Sequence, residues 1–402
     1  MKKTVLPTHW RIELRESLKL PIFYFLLYGS FASWQSFFNV HLDKIGFSSF
    51  QIGALNAVFI STSAVVVPFW GMIADRLGNN RILLLLTTLC AVLVFFLGKT
   101  LIFSWVILLI AIISIFHAPS SAVMDGMTMG FIRNRKGYSY GQFRLWGSAG
   151  YAVISLIIGF YARRDTSLIF SSSALMFMLL SLLNLLTLPP NPVINRGLVR
   201  FKSFAIFFQN RQLLIFLILI FLYGIAVSPL HQFINLYYKD IGAGNAFLGL
   251  AFFVQAGFEI PTFLIVVWLA KRLKPEKIIL FSIFISMIRM ILYGFIKVPE
   301  VAIFVSLLHG VTIAFFLVGV VEYVQLRTPD HLRTTGQALI YAFHFGAGVT
   351  LGNLLLGYLR DSVGMLKAMH IHGGIALIIL MAAWVFFGEW KLKDHSNLFK
   401  IP

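Results

Sequence analysis

The chain has 402 residues, of which 59% are apolar and only 12% are charged, and its mean hydropathy is +0.86. Because a soluble domain needs a polar exterior, this composition excludes one and indicates a polytopic membrane protein. The formal charge of +18 does not indicate nucleic-acid binding, since the basic residues lie in short clusters between apolar runs. The single cysteine, Cys90, excludes internal disulfides, and we expect neither a metal site nor a cofactor.

Apolar runs of about the 20 residues that a bilayer core requires follow one another along the chain. They predict twelve membrane-spanning helices, at residues 20–42, 50–74, 81–98, 102–124, 142–161, 168–188, 209–238, 245–270, 277–296, 299–325, 333–357 and 366–388. Residues 189–208 contain Pro-Pro and Asn-Pro and read as a polar linker. The predicted fold is an all-α membrane protein with two six-helix bundles, residues 1–188 and 209–402.

Lysine and arginine set the expected orientation. If the N-terminus is cytoplasmic, most of these residues fall on the cytoplasmic side, including the clusters at 133–136 and 271–277. The segments on the other side hold only Lys44, Lys99, Arg163, Arg164, Lys239, Lys297, Arg360 and Lys367. The positive-inside rule therefore predicts a multi-pass protein of the cell (inner) membrane, surrounded by lipid, with both termini in the cytoplasm.

The two halves of the sequence repeat. Gln51-Ile-Gly53, which opens span 2, recurs as Phe247-Leu-Gly249, which opens span 8, at an offset of 196 residues. The same offset aligns Ala74–Leu77 with Ala270–Leu273. Because loops, glycines and charges coincide at one offset, chance alignment of apolar runs explains this poorly. Parallel repeats of this kind are typical of transporters whose substrate site lies between the halves.

Spans 1 and 7 are equivalent in the repeat, and each carries polar and aromatic side chains within a run of lipid-spanning length. Trp34 and Gln35 lie in span 1, and Asn235 lies in span 7. Mixtures of this kind bind sugars, nucleosides or aromatic acids, because rings stack on aromatic side chains while amides fix polar groups. We predict that all three residues contact a substrate; an interfacial aromatic belt, the alternative, explains Trp34 and Gln35 less well.

A short charged segment, Gly71-Met-Ile-Ala-Asp-Arg-Leu-Gly-Asn-Asn-Arg81, separates spans 2 and 3. It resembles the signature loop between helices 2 and 3 of the major facilitator superfamily of transporters. An ordinary positive loop would explain its arginines but not its glycine and aspartate spacing. The residues predicted to act in gating are Gly71, Asp75, Arg76, Gly78 and Arg81. The equivalent segment of the second half has Lys271 in place of the aspartate, so only the first copy can bring an acidic group between the halves.

Ionisable groups inside predicted spans are costly in lipid, so they normally face a cavity, a partner or a proton path. Six such residues are Asp125, Arg144, Glu259, Arg289, His309 and Glu322. We expect Asp125 to pair with Arg144, and Glu259 with Arg289, because opposite charges lie at similar depths. Two alternatives stay open: a pair can lock helices together without binding a ligand, and a mid-span histidine such as His309 can serve packing rather than titration near neutral pH.

The segment Tyr140–Tyr151, Tyr-Gly-Gln-Phe-Arg-Leu-Trp-Gly-Ser-Ala-Gly-Tyr, narrows the resemblance. It is similar to the start of helix 5 in the lactose permease-like branch, which includes oligosaccharide, nucleoside and phenylpropionate proton symporters. The resemblance implies that Arg144 binds substrate together with a helix-4 carboxylate, here Asp125. It also implies that Tyr151 stacks on the ring of a sugar.

In the second half, Arg289 and Leu308-His309 follow the order and spacing of the same branch. The resemblance implies that His309 contacts substrate and that Arg289 supports a proton site. Thr312 and Ala256, however, stand where the lactose permease has glutamates for proton transfer and for substrate binding. Lactose is therefore not the expected substrate, and Glu259, one turn beyond Ala256, is the expected protonation group.

These features predict a secondary active transporter, not an enzyme, that imports a small organic solute with protons by alternating access. We expect Glu259, Arg289 and Glu322 to take part in proton coupling, although Glu322 near the end of its span can instead pair with Arg327. Expected partners are a small-molecule substrate, protons and lipids, and the resemblance implies a monomer. The alternatives are a proton-driven efflux antiporter of the same fold and a non-transporting membrane sensor. The chain has no His-Glu-x-x-His, Gly-x-Ser-x-Gly or Walker-type loop to support catalysis or ATP use.

Overall fold

The computed structural model describes residues 8–133, 135, 137–163, 165–187, 210–328 and 333–389. These residues form twelve long helices: α1 (Thr8–Lys44), α2 (Ser49–Leu77), α3 (Asn79–Leu97), α4 (Phe103–Ile132), α5 (Tyr140–Tyr161), α6 (Leu168–Leu186), α7 (Arg211–Asp240), α8 (Asn245–Ala270), α9 (Pro275–Phe295), α10 (Pro299–Arg327), α11 (Gly336–Val363) and α12 (Met365–Glu389). Within this described part, eleven helices are long and apolar enough to cross a membrane, and α1 adds a 37-residue helix with a more polar start. The predicted all-α membrane fold is confirmed. The predicted linker, residues 189–208, lies outside the described residues.

The internal repeat is visible in the helix packing. In the first half (α1–α6), α1 packs against α5 and α6, α2 against α4, and α3 against α4 and α6. In the second half (α7–α12) the equivalent pairs form: α7 with α11 and α12, α8 with α10, and α9 with α10 and α12. The halves join through α2 with α11 and α5 with α8, which are also equivalent pairs. The division at residues 188 and 209 itself stays a prediction.

The repeat-related glycines lie at these two junctions. A Cβ added to Gly249 of α8 would lie 2.5 Å from the Ser155 carbonyl oxygen of α5. A Cβ added to Gly53 of α2 would collide with the Asn353 carbonyl oxygen of α11. Both positions therefore need glycine because two backbones approach closely. The glycines that revealed the repeat in the sequence hold the halves together.

The predicted loop at Gly71–Arg81 is mostly helical, which corrects the sequence-based expectation. Helix α2 continues to Leu77, and α3 begins at Asn79, so Gly78 alone makes the turn. Its φ of 94° lies in the left-handed region that favours glycine, and its N–H donates to the Ala74 carbonyl at 2.9 Å. Hydropathy marks only the lipid-facing core of a helix, so it missed the polar helical ends, here and in α4, which extends to Ile132.

Three helices of the second half are irregular near their middles. Helix α7 contains a π-helical turn at Pro229–Phe233, and α11 contains another at Tyr341–Val349. Helix α10 is interrupted after Ser306 and resumes at His309. Backbone of this kind is tolerated at membrane depth only where it is buried in protein or lines a cavity. These interruptions therefore point toward the interior of the bundle.

Successive helices run in opposite directions, which defines two faces. The Asp43 face is the one where α1, α7 and α11 end and where Asp43 lies. The Asp75 face is the opposite one, where α2 ends and where Asp75 lies. The two faces are the two sides of the helix bundle.

Candidate functional site

A cavity of about 350 Å³ lies between the two halves. Helices α1 and α5 form its first-half wall, and α7, α8 and α10 form its second-half wall. The predicted site residues that line it are Gln35, Arg144, Tyr151, Glu259 and His309. This volume suits a small organic molecule, and the lining combines aromatic rings with a few charged and amide groups.

On the first-half wall, the guanidinium carbon of Arg144 lies 4.0 Å from the ring centroid of Tyr28. The Asp125 carboxylate instead accepts a hydrogen bond of 2.7 Å from the Tyr24 hydroxyl. The expected Asp125–Arg144 ion pair is therefore absent from this structure. Tyrosines partner both charges instead, since Tyr24 of α1 and Tyr140 of α5 bond Asp125 while Tyr28 of α1 lies against Arg144. Arg144 thus presents a positive charge to the cavity, backed by an aromatic face.

Tyr151 lies where the cavity meets the junction of the halves. Its hydroxyl accepts a hydrogen bond of 3.1 Å from the Ser36 hydroxyl, and its ring meets Phe252 of α8 edge-on, with centroids 6.4 Å apart. The pair offers aromatic surface from both halves at one point of the cavity wall. Phe252 is a lining residue that the sequence analysis missed, because an isolated phenylalanine in an apolar helix carries no signal.

On the second-half wall, Oε1 of Glu259 lies 3.2 Å from Nε2 of His309. Arg289 is fully buried, and its Nη1 donates to Oγ1 of Thr312 at 2.7 Å. The expected Glu259–Arg289 pair is therefore not formed. Helix α10, which carries His309 and Thr312, packs against both α8 and α9 and supplies the partner of each charge.

Hydrogen bonds between the halves close the cavity on its Asp43 side. Asn39 Nδ2 donates to the Gln232 carbonyl at 2.5 Å, and Asn235 Nδ2 donates to the Ser36 carbonyl at 3.1 Å. Asn235, predicted to bind substrate, is thus a buried contact between the halves. Trp34 also lies outside the cavity. Its ring is buried and makes edge-to-face contacts with the rings of Phe38, Phe59 and His117. The sequence indicates the polar and aromatic residues of spans 1 and 7. It does not indicate the rotation of each helix, which decides whether such a residue faces the cavity or the junction between the halves.

An ion network, absent from the sequence-based expectations, completes this closure at the Asp43 face. Arg360 of α11 donates to Asp43 of α1 at 2.8 Å and to both carboxylate oxygens of Asp240 at 2.7 and 2.8 Å. Lys239 of α7 also forms an ion pair with Asp43. The sequence does carry a signal for this network, because acidic residues stand beside basic ones at the ends of the repeat-equivalent spans 1 and 7.

A second link at this face caps a helix. The Asp361 carboxylate accepts the backbone N–H groups of Ser49 and Phe50, at 2.9 and 2.8 Å. These residues begin α2, so a negative charge from the second half lies at the positive end of a first-half helix dipole. The network and this cap together are called the Asp43-face seal.

The sequence matches the family model described as "MFS_1 like family" over residues 17–370. The match covers most of the chain. This chain belongs to that family. It is a multi-pass membrane transporter of the major facilitator superfamily, as the resemblance implied, and not an enzyme.

Relatives of this transporter include permeases and multidrug resistance proteins. It is 22% identical over 357 residues to the maltose permease of Geobacillus stearothermophilus, covering 88% of this chain and 89% of the relative. It is 21% identical to the multidrug resistance protein MdtG of Dickeya zeae, covering 92% of each chain. The crystal structure of the nucleoside transporter NupG superposes with a TM-score of 0.82 at 19% identity, covering 92% of this chain and 98% of the other. The last likeness shows the shared fold.

The remaining predicted residues of the transporter lie at its Asp75 face, away from the cavity. Glu322 borders a surface groove with Lys271, Arg272 and Lys274, so the structure does not bring it to Glu259 or Arg289. Its alternative partner Arg327 forms an ion pair with Glu276 instead. Glu322 therefore does not line the cavity.

The predicted gating residues also lie at this face. Gly71 has open space around its Cβ position, and Arg76 and Arg81 are exposed. Asp75 is half-buried and makes no ion pair or hydrogen bond with another described residue. The hydrogen bonds between the described parts of the two halves lie at or toward the Asp43 face. The transporter is thus sealed at the Asp43 face, and Asp75 makes no hydrogen bond or ion pair to a described residue that would seal the opposite one.

Proposed function

We propose that this transporter imports a small, polar, ring-containing solute (a sugar, a nucleoside or an aromatic acid) together with protons. The observation that carries the proposal is the cavity between the halves, which sets Arg144 and Tyr151 opposite the Glu259–His309 pair. An aromatic wall stacks a ring, while the charged groups and the Gln35 amide bind hydroxyl or carboxylate groups. The maltose permease and nucleoside transporter among its similar proteins support this substrate range.

The proposed orientation places the Asp75 face in the cytoplasm. The distribution of Lys and Arg supports it, because Arg133, Arg135 and the cluster at 271–277 belong to that face. In this orientation the Asp43-face seal is external, and the described state is closed toward the outside. The two six-helix halves then rock about the cavity, each transporter acting as a monomer in the cell membrane.

The proposed coupling element is the Glu259–His309 pair. The side chains are 28% and 16% exposed, respectively, so both can exchange protons with a solvated cavity while remaining largely shielded. Protonation of Glu259 removes its negative charge and weakens the pair, which frees His309 to contact substrate. Release of that proton toward the cytoplasm restores the pair, favours loss of substrate and resets the cycle. On the first-half side, Asp125 holds the Tyr24 hydroxyl, and the Tyr24 ring stacks on Tyr28, the aromatic backing of Arg144.

The substrate is tested first, by thermal unfolding of purified protein with sugars, nucleosides and aromatic acids. We expect one class to raise the unfolding temperature, and we expect Arg144→Ala to abolish that rise. The matched control is Arg163→Ala, an exposed arginine at the other end of α5. A ligand that stabilises wild type and Arg144→Ala equally would remove Arg144 from the binding site.

Coupling is then tested with that ligand in proteoliposomes. We expect an inward proton gradient to drive accumulation in wild type but not in Glu259→Gln, while exchange of internal for external ligand persists. Glu300→Gln, which changes an exposed glutamate at the start of α10, is the control. Gradient-driven accumulation that survives in Glu259→Gln would exclude this glutamate as the coupling group.

A proton-driven exporter is the second candidate, and the similarity to MdtG favours it. The same proteoliposomes separate the two functions, because an exporter exchanges solute outward against inward protons. Charged groups such as Arg144, Glu259 and His309 on the cavity wall suit a polar solute better than an apolar drug. Ligand is added outside the proteoliposomes and proton movement is measured. Protons that enter together with the ligand support import.

A further inference from the structure

A second and smaller chamber, of about 10 Å³, lies behind His309 within the second half. It shares His231, His309 and neighbouring apolar residues with the central cavity, so the two are adjacent. Its polar wall includes Ser286, Arg289 and Thr312. A volume of this size admits a single small occupant at most, and it does not suit a sugar or a nucleoside.

Arg289 is the cation of this chamber, and its burial is complete. Its Nη1 donates to Thr312, whereas Nε and Nη2 have no hydrogen-bond partner among the described residues. A buried guanidinium without a counter-charge costs several kcal/mol, so such groups are normally paired. The carboxylate of the adjoining cavity, Glu259, is held by His309 and does not neutralise it.

The rest of the chamber wall is neutral, and several of its polar groups already bond within the protein. The hydroxyls of Tyr223 and Ser286 lie 2.7 Å apart, and Nδ1 of His344 lies 3.0 Å from the Ile220 carbonyl. No aspartate or glutamate lies among the described residues that line the chamber. A buried guanidinium with two unpartnered N–H groups, and no carboxylate among the described residues of the lining, is the chemistry of an anion site.

The irregular helices of the second half meet at the same place. The π-helical turn of α7 contains His231, the interruption of α10 precedes His309, and the π-helical turn of α11 contains His344. All three histidines line the chamber. Interruptions of this kind are frequent at functional sites.

We propose that this chamber binds one small monovalent anion, chloride in the cell, as the counter-ion of Arg289. The anion neutralises the guanidinium through the Nε and Nη2 donors that the protein leaves without partners. Since His309 forms part of both chambers, occupancy of this site also stabilises the wall that carries the Glu259–His309 pair. This proposal concerns the stability of the second half and stands whichever solute the cavity carries.

The test is thermal unfolding of the purified full-length chain in sodium chloride and in sodium gluconate of equal ionic strength. We expect chloride to raise the unfolding temperature by about 2 °C or more, since a ligand of the folded state alone stabilises it. Arg289→Gln should abolish the difference between the two salts. The matched control is Arg144→Gln, which removes the arginine of the central cavity and should retain the chloride response.

Two further measurements keep the result decisive if Arg289→Gln does not fold. Crystals of the wild type grown with bromide should give an anomalous peak at Arg289, inside the small chamber. A third salt, sodium formate, separates a monatomic anion from a carboxylate. Equal unfolding temperatures in chloride and gluconate, a response to formate alone, or a bromide peak only elsewhere would each overturn the chloride assignment.

Discussion

Replacing Arg360 with glutamine should open the transporter at its Asp43 face. Arg360 holds Asp43 of the first half and Asp240 of the second through charge-assisted hydrogen bonds of 2.7 to 2.8 Å. It also donates to the Ser49 hydroxyl at 2.8 Å. Glutamine removes the charge and most of these bonds but keeps a side chain of similar reach. The contacts with Asp43 and Ser49 join the two halves and exist only while the face is sealed, so their loss shifts the balance between conformations.

The size of the shift follows from the burial of these groups. The side chains of Arg360, Asp43 and Asp240 are 11%, 17% and 27% exposed, which is intermediate between a surface pair and a buried one. Surface pairs contribute up to about 1 kcal/mol, and breaking a buried pair costs about 3–5 kcal/mol. We therefore expect a loss of about 2 kcal/mol, which is a change of about 30-fold in the ratio of sealed to open molecules.

Distances between spin labels across this face measure that ratio. Lys44→Cys in the first half and Ser362→Cys in the second are exposed positions, and the natural Cys90 is fully buried. Wild type should give one short distance, and Arg360→Gln should add a longer one. The control, Lys367→Gln, removes an exposed positive charge near the same face. An unchanged distance distribution in Arg360→Gln would show that the network does not hold the face closed.

Three further predictions address other parts of the transport cycle. Asp75→Asn should slow transport while leaving ligand affinity nearly unchanged in a binding assay; an equal loss of affinity would indicate a structural role only. Asn235→Ala removes a hydrogen bond between the halves, so the maximal transport rate should change more than KM, and a change confined to KM would return Asn235 to the substrate site. Gly249→Ala should lower the unfolding temperature, because its Cβ would lie 2.5 Å from the Ser155 carbonyl and overpacking costs about 1–3 kcal/mol. Gly257→Ala on the same helix, with open space around it, should be tolerated, and equal effects of the two changes would refute the close-approach argument.

The site residues show where sequence reasoning ends. Arg144, Tyr151, Glu259 and His309 were predicted and do line one cavity, because a charged or polar group within a span must face the protein interior. Their partners were not predictable in the same way. Which charges pair depends on the rotation of each helix and on which helix lies between two others, and no spacing along the chain records either.

The sequence by itself determined the membrane class, the twelve helices and the internal repeat, because apolar length and lysine-arginine placement are one-dimensional properties. The glycines of spans 2 and 8 indicated the repeat, but the sequence did not show which helices these glycines contact. Only the tertiary structure decided that Tyr24 bonds Asp125, that His309 pairs with Glu259, and that the buried Arg289 has one hydrogen-bond partner, the neutral Thr312. The physical reason is that pairing energies act across helices within a few ångströms, whereas the pattern that builds the helices is local.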